Sequence, residues 1–161
     1  MMTRRQTLFR IGAAATGLRG LFAAAPARAT RAYEVTRPDA EWQKLLQPAQ
    51  YRVLRKAGTE MPHSSPLNKE KRAGAYSCAG CAHPLFSSTT KFESGTGWPS
   101  FWQALDKAVV EESDSSLFMK RTEVLCARCG GHLGHVFDDG PKPTGLRYCM
   151  NGVALTFKAS A

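Results

Sequence analysis

Five cysteines separate by spacing into two kinds. Cys78-Ala79-Gly80-Cys81 and Cys126-Ala127-Arg128-Cys129 are C-x-x-C pairs 44 residues apart, whereas Cys149 stands alone in G-L-R-Y-C-M-N-G at 145–152. A C-x-x-C turn aims two thiolates at one ion, and two such turns complete a tetrahedral four-sulfur site. Four soft sulfurs without a neighbouring carboxylate favour Zn²⁺ over iron, and Gly80 and Gly130 permit the tight backbone that such turns need. Two disulfides are the alternative in an oxidising compartment. A redox C-x-x-C would call for a βαβ context, and the chain has none. Zinc held by Cys78, Cys81, Cys126 and Cys129 is structural, because four protein ligands leave no open position for substrate.

Cys149 sits in a short apolar run read as a strand, where side chains alternate between faces. Leu146, Tyr148 and Met150 share one face, and Arg147, Cys149 and Asn151 share the other. The apolar trio faces the core, so the thiol faces a surface or pocket. A guanidinium one strand step from a thiol favours the thiolate, the nucleophilic form. Asn151 offers an amide to a developing oxyanion or to the thiolate. A spare buried cysteine behaving as a small hydrophobe is the alternative, but here the apolar phase is already taken.

Two further stretches suit a pocket. His132-Leu133-Gly134-His135-Val136-Phe137-Asp138-Asp139-Gly140 brings two imidazoles and carboxylates next to the second C-x-x-C. Histidine titrates near neutrality and can supply a proton to a leaving oxygen, with a carboxylate tuning it. Turn capping or a second metal site are the other uses of such histidines. Ser94-Gly95-Thr96-Gly97-Trp98-Pro99-Ser100-Phe101-Trp102 is a glycine-rich loop with three aromatics. Phe101 and at least one Trp are expected in the core, while a loop-borne Trp can wall an apolar substrate.

These residues need a scaffold. Pro38 with Asp39 and Glu41 reads as a helix first turn, with Trp42, Leu45 and Leu46 on one face. After Pro48 a second short helix runs through Tyr51 and Leu54 to Lys56, with Gly58 as its stop. Residues 58–74 read as a polar surface loop. Strands are expected at 75–78, 84–87, 108–111, 117–126, 134–138, 146–151 and 153–158. The expected fold is mainly β and antiparallel, with a short helical N-terminal arm and a four-cysteine structural zinc site.

Residues 1–29 hold five of the 22 Lys and Arg residues and none of the 13 acidic ones, so the remainder carries 17 against 13. The formal charge of +9 therefore resides largely in the leader, and a nucleic-acid surface is not expected. Arg4-Arg5 followed by Leu8 and Phe9, a small-residue apolar stretch and Ala27-Arg28-Ala29 form a twin-arginine-like export signal. Cleavage after Ala29 leaves a single domain at 30–161, placed in the periplasm. An organellar transit peptide, for import into a mitochondrion for example, is the rival reading. No run in the sequence approaches the roughly 18 apolar residues of a spanning helix, so no stable membrane insertion is expected.

S-G-T-G-W-P-S-F, the doubled C-x-x-C, G-H-L-G-H-V-F-D-D-G-P and G-L-R-Y-C-M-N-G occur in this order. In that conjunction, over roughly residues 38–158, the chain resembles the B-type methionine-R-sulfoxide reductases. The resemblance implies a mainly β fold with two antiparallel sheets, the structural zinc, and reduction of methionine-R-sulfoxide in oxidised proteins or peptides. It places the nucleophile at Cys149 and the methyl-receiving wall at Trp98, with Phe137 also at the substrate. His135 and Asp139 would hold and protonate the sulfoxide oxygen with His132, and Arg147 and Asn151 would set charge and geometry around the thiol. Cys149 would become a sulfenic acid, which a thiol must reduce. Many relatives carry a recycling cysteine in the S-G-x-G-W loop, where this chain has Thr96. A thioredoxin-like or other external thiol reductant is then the expected partner, and the enzyme is expected to be a monomer. A basic zinc-binding recognition module is the reading from another class; it accounts for four cysteines but not for 94–102 or 130–152.

Overall fold

A computed structural model describes residues 31–115 and 120–160. The leader, the start of the strand expected at 117–126 and the final residue lie outside the described residues. Among the described residues, two short helices lead into nine strands. Helix α1 spans Asp39–Leu45 and α2 spans Pro48–Lys56. Strands β1 (Gly74–Cys78), β2 (Pro84–Ser87) and β9 (Leu155–Ala159) form one sheet in the order β2-β1-β9. The second sheet has the order β3-β4-β8-β7-β6-β5. Its strands are β3 (Lys91–Phe92), β4 (Ser100–Phe101), β5 (Val109–Asp114), β6 (Arg121–Cys126), β7 (His132–Phe137) and β8 (Arg147–Met150). Every pairing is antiparallel, as the alternating apolar runs and short connections imply.

An aromatic core joins the sheets. Phe86 of β2 stacks on Phe101 of β4 with centroids 4.4 Å apart, and Tyr76 of β1 meets the same ring at 4.9 Å. Tyr148 of β8 lies 5.8 Å from Phe86. Tyr76, Phe86 and Phe101 are fully buried, so their large apolar areas stabilise the contact between layers.

The helical arm packs over the cysteine turns. Trp42 and Leu54 are buried, and a Cβ built on Gly80 would stand 3.5 Å from Leu54 and 3.6 Å from Trp42. Arg55 donates to the Cys129 carbonyl at 3.1 Å. Leu45, expected on the inner face with Trp42, points outward and is 60 % exposed. With α1 ending at that residue, Leu46 turns in instead, its N–H still bonded to the Trp42 carbonyl. The stop of α2 also differs by one residue. Ala57 takes the left-handed conformation (φ 50°), and the Gly58 N–H reaches back to the Arg52 carbonyl, a closure that satisfies an orphan carbonyl of the last turn.

Three further expectations change. Residues 58–74 are not simply a surface loop: Glu60 and Ser65 are buried. β3 and β4 escape a sequence reading because two residues each carry no detectable alternation. β7 starts at His132 rather than 134, for a reason that matters to the site.

Candidate active site

The two C-x-x-C pairs lie in the β1–β2 and β6–β7 turns. The four Sγ atoms lie within 4.8 Å of one another, with Cys78 and Cys129 at 3.8 Å and Cys81 and Cys126 at 3.6 Å. These separations exceed a disulfide's roughly 2 Å and match the edge of about 3.8 Å that a tetrahedron with metal–sulfur bonds of about 2.3 Å requires. The thiols titrate as one set. Hydrogen bonds among them, with Cys126 the largest influence on Cys78, Cys81 and Cys129, hold Cys81 down and push Cys78 and Cys129 up. Such crowding is relieved when a cation balances several thiolates at once. Donor set, spacing and burial therefore fit a structural metal that clasps the small sheet to the large one.

The second site is built by strand register. Glu123 of β6 pairs with His135 of β7, His135 with Cys149 of β8, and Cys149 with Ser100 of β4. Directly opposed residues share a face with Cβ atoms about 5 Å apart, so these four side chains form one row across the sheet. On the other face Tyr148 and Met150 are buried, as the alternation in R-Y-C-M-N requires.

On a regular strand His132 and His135, three apart, would point to opposite faces. Glu123 pairs with His135 and Val124 with Gly134, but Leu125 pairs with His132, so Leu133 is an extra residue on β7. This bulge resets the alternation and brings both imidazoles to one face, their centroids 5.4 Å apart. Gly134 lets the strands close. A Cβ there would stand 2.1 Å from the Cys149 carbonyl oxygen, which no side chain tolerates.

Cys149 lines a cleft of about 210 Å³ with Thr59, Trp98, Arg121, Gly134, His135, Phe137 and Asn151. Of the residues expected at a site, Cys149, Trp98, His135, Phe137 and Asn151 meet here. Trp98 is held by its Nε1–H, which donates to the Glu60 carbonyl at 3.2 Å. His135 Nε2 lies 3.0 Å from Asp114 Oδ2, which also accepts from Arg121 at 2.8 Å. Burial lowers the His135 pKa from 6.5, aided by the positive charge of Arg121 and by His132, against the pull of Asp114. The imidazole is accordingly neutral at neutral pH.

Other expected residues stand around this cleft rather than lining it. His132 is buried, with Nδ1 2.7 Å from Glu123 Oε1; its Nε2 has no hydrogen-bond partner among the described residues. Asp139 is not brought to His135. It is 59 % exposed and receives both arms of Arg147 at 2.8 Å, which lowers its carboxyl pKa. Arg147 in turn lies over the Phe137 ring at 4.4 Å; Asp139 first, with a contribution from Cys149, raises its pKa. Asn151 lines the cleft, but its Oδ1 accepts from the Glu60 N–H at 2.9 Å and its Nδ2 donates to the Leu133 carbonyl at 3.0 Å. It therefore braces the cleft wall.

Sequence reasoning missed the brace itself. Every polar group of Glu60 is engaged: its backbone holds Asn151 and Trp98, and its carboxylate accepts from the Gly152 and Val153 N–H groups. Burial raises its pKa above 4.5 against the effect of those two donors. An acid in a polar, proline-bearing loop gives no sequence signal of burial. Asp114, Arg121 and Glu123 were missed as well; only their strand neighbours place them.

The architecture is thus of one class: two antiparallel sheets joined by a four-thiol clasp, with a fifth, separate thiol beside an aromatic wall and a neutral imidazole. The SelR domain model matches residues 46–159. Peptide methionine sulfoxide reductase MsrB of Leptospira interrogans (serogroup Icterohaemorrhagiae serovar Lai) is 57% identical over 127 residues, covering 78% of this chain and 97% of the relative. That of Methanosarcina barkeri is 57% identical over 125 residues (77% and 88%), and that of Pseudomonas putida 58% over 119 (73% and 90%). The chain belongs to the SelR domain family, the peptide methionine sulfoxide reductases of the MsrB type.

Proposed function

We propose that this chain reduces the R epimer of methionine sulfoxide, in oxidised proteins or peptides, through a sulfenic acid on Cys149. The observation that carries the assignment is the register row: of the five cysteines, only Cys149 lies outside the metal clasp, and it lies in the cleft beside Trp98 and His135. Cys149 sulfur attacks the sulfoxide sulfur, the S–O bond breaks, and the oxygen passes to Cys149. The thiol and the sulfoxide become a sulfenic acid and a methionine. A first external thiol then forms a mixed disulfide with release of water, and a second releases Cys149 and the external disulfide.

Trp98 and Phe137 supply apolar walls for the methyl group and stem of the substrate. His135, oriented by Asp114, has Nδ1 left to meet the oxygen, and must first take up a proton if it is to act as the acid. One apolar wall and one polar side make the two sulfoxide epimers unequal, which supports a single-epimer enzyme. Zn²⁺ held by Cys78, Cys81, Cys126 and Cys129 supplies a cross-link and charge balance to the fold.

Thr96 stands where many relatives have a recycling cysteine, which supports a thioredoxin-like or small-thiol reductant. The basic leader with its Arg4-Arg5 pair supports export after folding, which fractionation of cells expressing the tagged chain would test. The central experiment assays the separated R and S epimers with stoichiometric enzyme and no reductant. One methionine per chain from the R epimer, with a sulfenic acid trapped on Cys149, is expected. Turnover of the S epimer alone, or a disulfide joining Cys149 to a clasp cysteine, would sink the proposal.

A further inference from the structure

A row of hydroxyls behind Cys149 has no part in the reaction as written. Thr96 Oγ1 lies 3.7 Å from Cys149 Sγ. Ser94 Oγ lies 2.8 Å from Thr96 Oγ1 and 2.7 Å from Ser100 Oγ. Ser100, fully buried, donates to the Trp98 carbonyl at 3.2 Å. Ser100 is also the register partner of Cys149 across β4 and β8.

Each hydroxyl has one proton, so the direction of one bond dictates the next. With Ser100 donating to Trp98, Ser94 donates to Ser100, Thr96 to Ser94, and the Cys149 S–H to Thr96. With a thiolate the order reverses: Thr96 donates to sulfur, Ser94 to Thr96, Ser100 to Ser94, and the Trp98 carbonyl loses its partner. Passing from one state to the other takes three hydroxyl rotations. No O–H bond breaks, and the thiol proton leaves through the cleft to water.

We propose that Thr96 is a positioning residue whose hydroxyl, held by Ser94, donates to the Cys149 thiolate and so increases its reactive share. A hydrogen bond to a charged acceptor is stronger than a neutral one. The bond given up at the far end is the longest oxygen–oxygen contact of the row. The inference rests on Cys149 being the nucleophile, so its test reads the thiol directly rather than turnover.

In the zinc-loaded full chain, alkylation of Cys149 by iodoacetamide is followed by peptide mass across a pH profile. Thr96→Val, similar in shape but without a donor, is expected to react about five- to tenfold more slowly near neutrality, with its profile displaced toward alkaline pH. Thr96→Ser should restore the rate to within about twofold, because it keeps the hydroxyl. Ser100→Ala removes the competing acceptor, leaving Ser94 to donate to Thr96 and Thr96 to sulfur, and should react at least as fast as the parent. A merely structural role would slow both Thr96→Val and Ser100→Ala. A Thr96→Val rate equal to the parent's, or a Ser100→Ala rate as slow as Thr96→Val, overturns the proposal. Failure of the nucleophile assignment shows separately, as sulfoxide turnover retained by Cys149→Ser.

Discussion

The clasp cysteines and Cys149 carry the same side chain and are placed by different physics. Each clasp pair is made locally, by a tight turn that aims two sulfurs one way, and the fold has only to bring two such turns together. Cys149 sits in β8, where the local sequence supplies Arg147 and Asn151 as same-face neighbours and nothing more. Its setting comes from β7 and β4 on either side and from a loop some 90 residues earlier in the chain, through Glu60 and Asn151. A motif can therefore be read for the clasp, whereas the Cys149 cleft is a product of register.

The sharpest way to break this contrast is to remove one cysteine of each kind. Cys126→Ser is expected to unfold the domain and release its metal, because structural zinc binding is folding free energy of about 10 kcal/mol or more. Circular dichroism and metal analysis read it. Cys149→Ser should leave both signals unchanged while abolishing sulfoxide turnover. If Cys126→Ser stays folded, the clasp is not what joins the sheets.

Gly134→Ala tests register more gently. The added methyl would meet the Cys149 carbonyl, so β7 and β8 must part, at a cost of about 3 kcal/mol and most of the activity. Denaturant midpoints together with kcat would show it; a neutral result would mean the strands are not so closely opposed.

Glu60→Gln turns an amide NH₂ toward the Gly152 or Val153 N–H. A loss of about 1–3 kcal/mol is expected, with a higher KM as Trp98 and Asn151 loosen. An unchanged KM would confine Glu60 to a purely structural role.

The smallest effect is a pH slope. The folded pKa of His135 lies below 6.5, so as pH falls through 6.5 the unfolded chain takes up the proton first. Stability contributed by the neutral ring is present above that point and is lost as pH falls toward the folded pKa. Glu60 acts in the opposite sense. Its raised pKa gives stability that is present below 4.5 and lost as pH rises through the folded value. Urea midpoints of the parent should fall as pH drops below 6.5, and His135→Asn should flatten that slope. Equal slopes in the two proteins would show that His135 is as solvated folded as unfolded.

Much of the scaffold is legible from local pattern. Among the described residues, the two helices, seven of the nine strands and the inward face of R-Y-C-M-N follow from apolar period and turn residues. The site is legible only in part. H-L-G-H on a plain strand separates its histidines, and only the bulge at Leu133, seen in the pairing with β6, reunites them. Asp139, two residues beyond Phe137, looks like a partner for His135. The fold gives that place to Asp114, and Asp139 instead receives the two arms of Arg147, eight residues further along.

By itself the sequence determined what chemistry the chain carries: four thiols paired for a metal, one thiol set apart on the polar face of a strand, and an aromatic loop. These depend on residue type and short spacing, which a single chain displays directly. Only the tertiary structure decided which groups meet that thiol. Glu123, His135, Cys149 and Ser100 come from four different strands and line up because antiparallel hydrogen bonding fixes register. Glu60 braces the cleft wall because its buried carboxylate finds the Gly152 and Val153 N–H groups behind it, a pairing that exists only once the chain has folded.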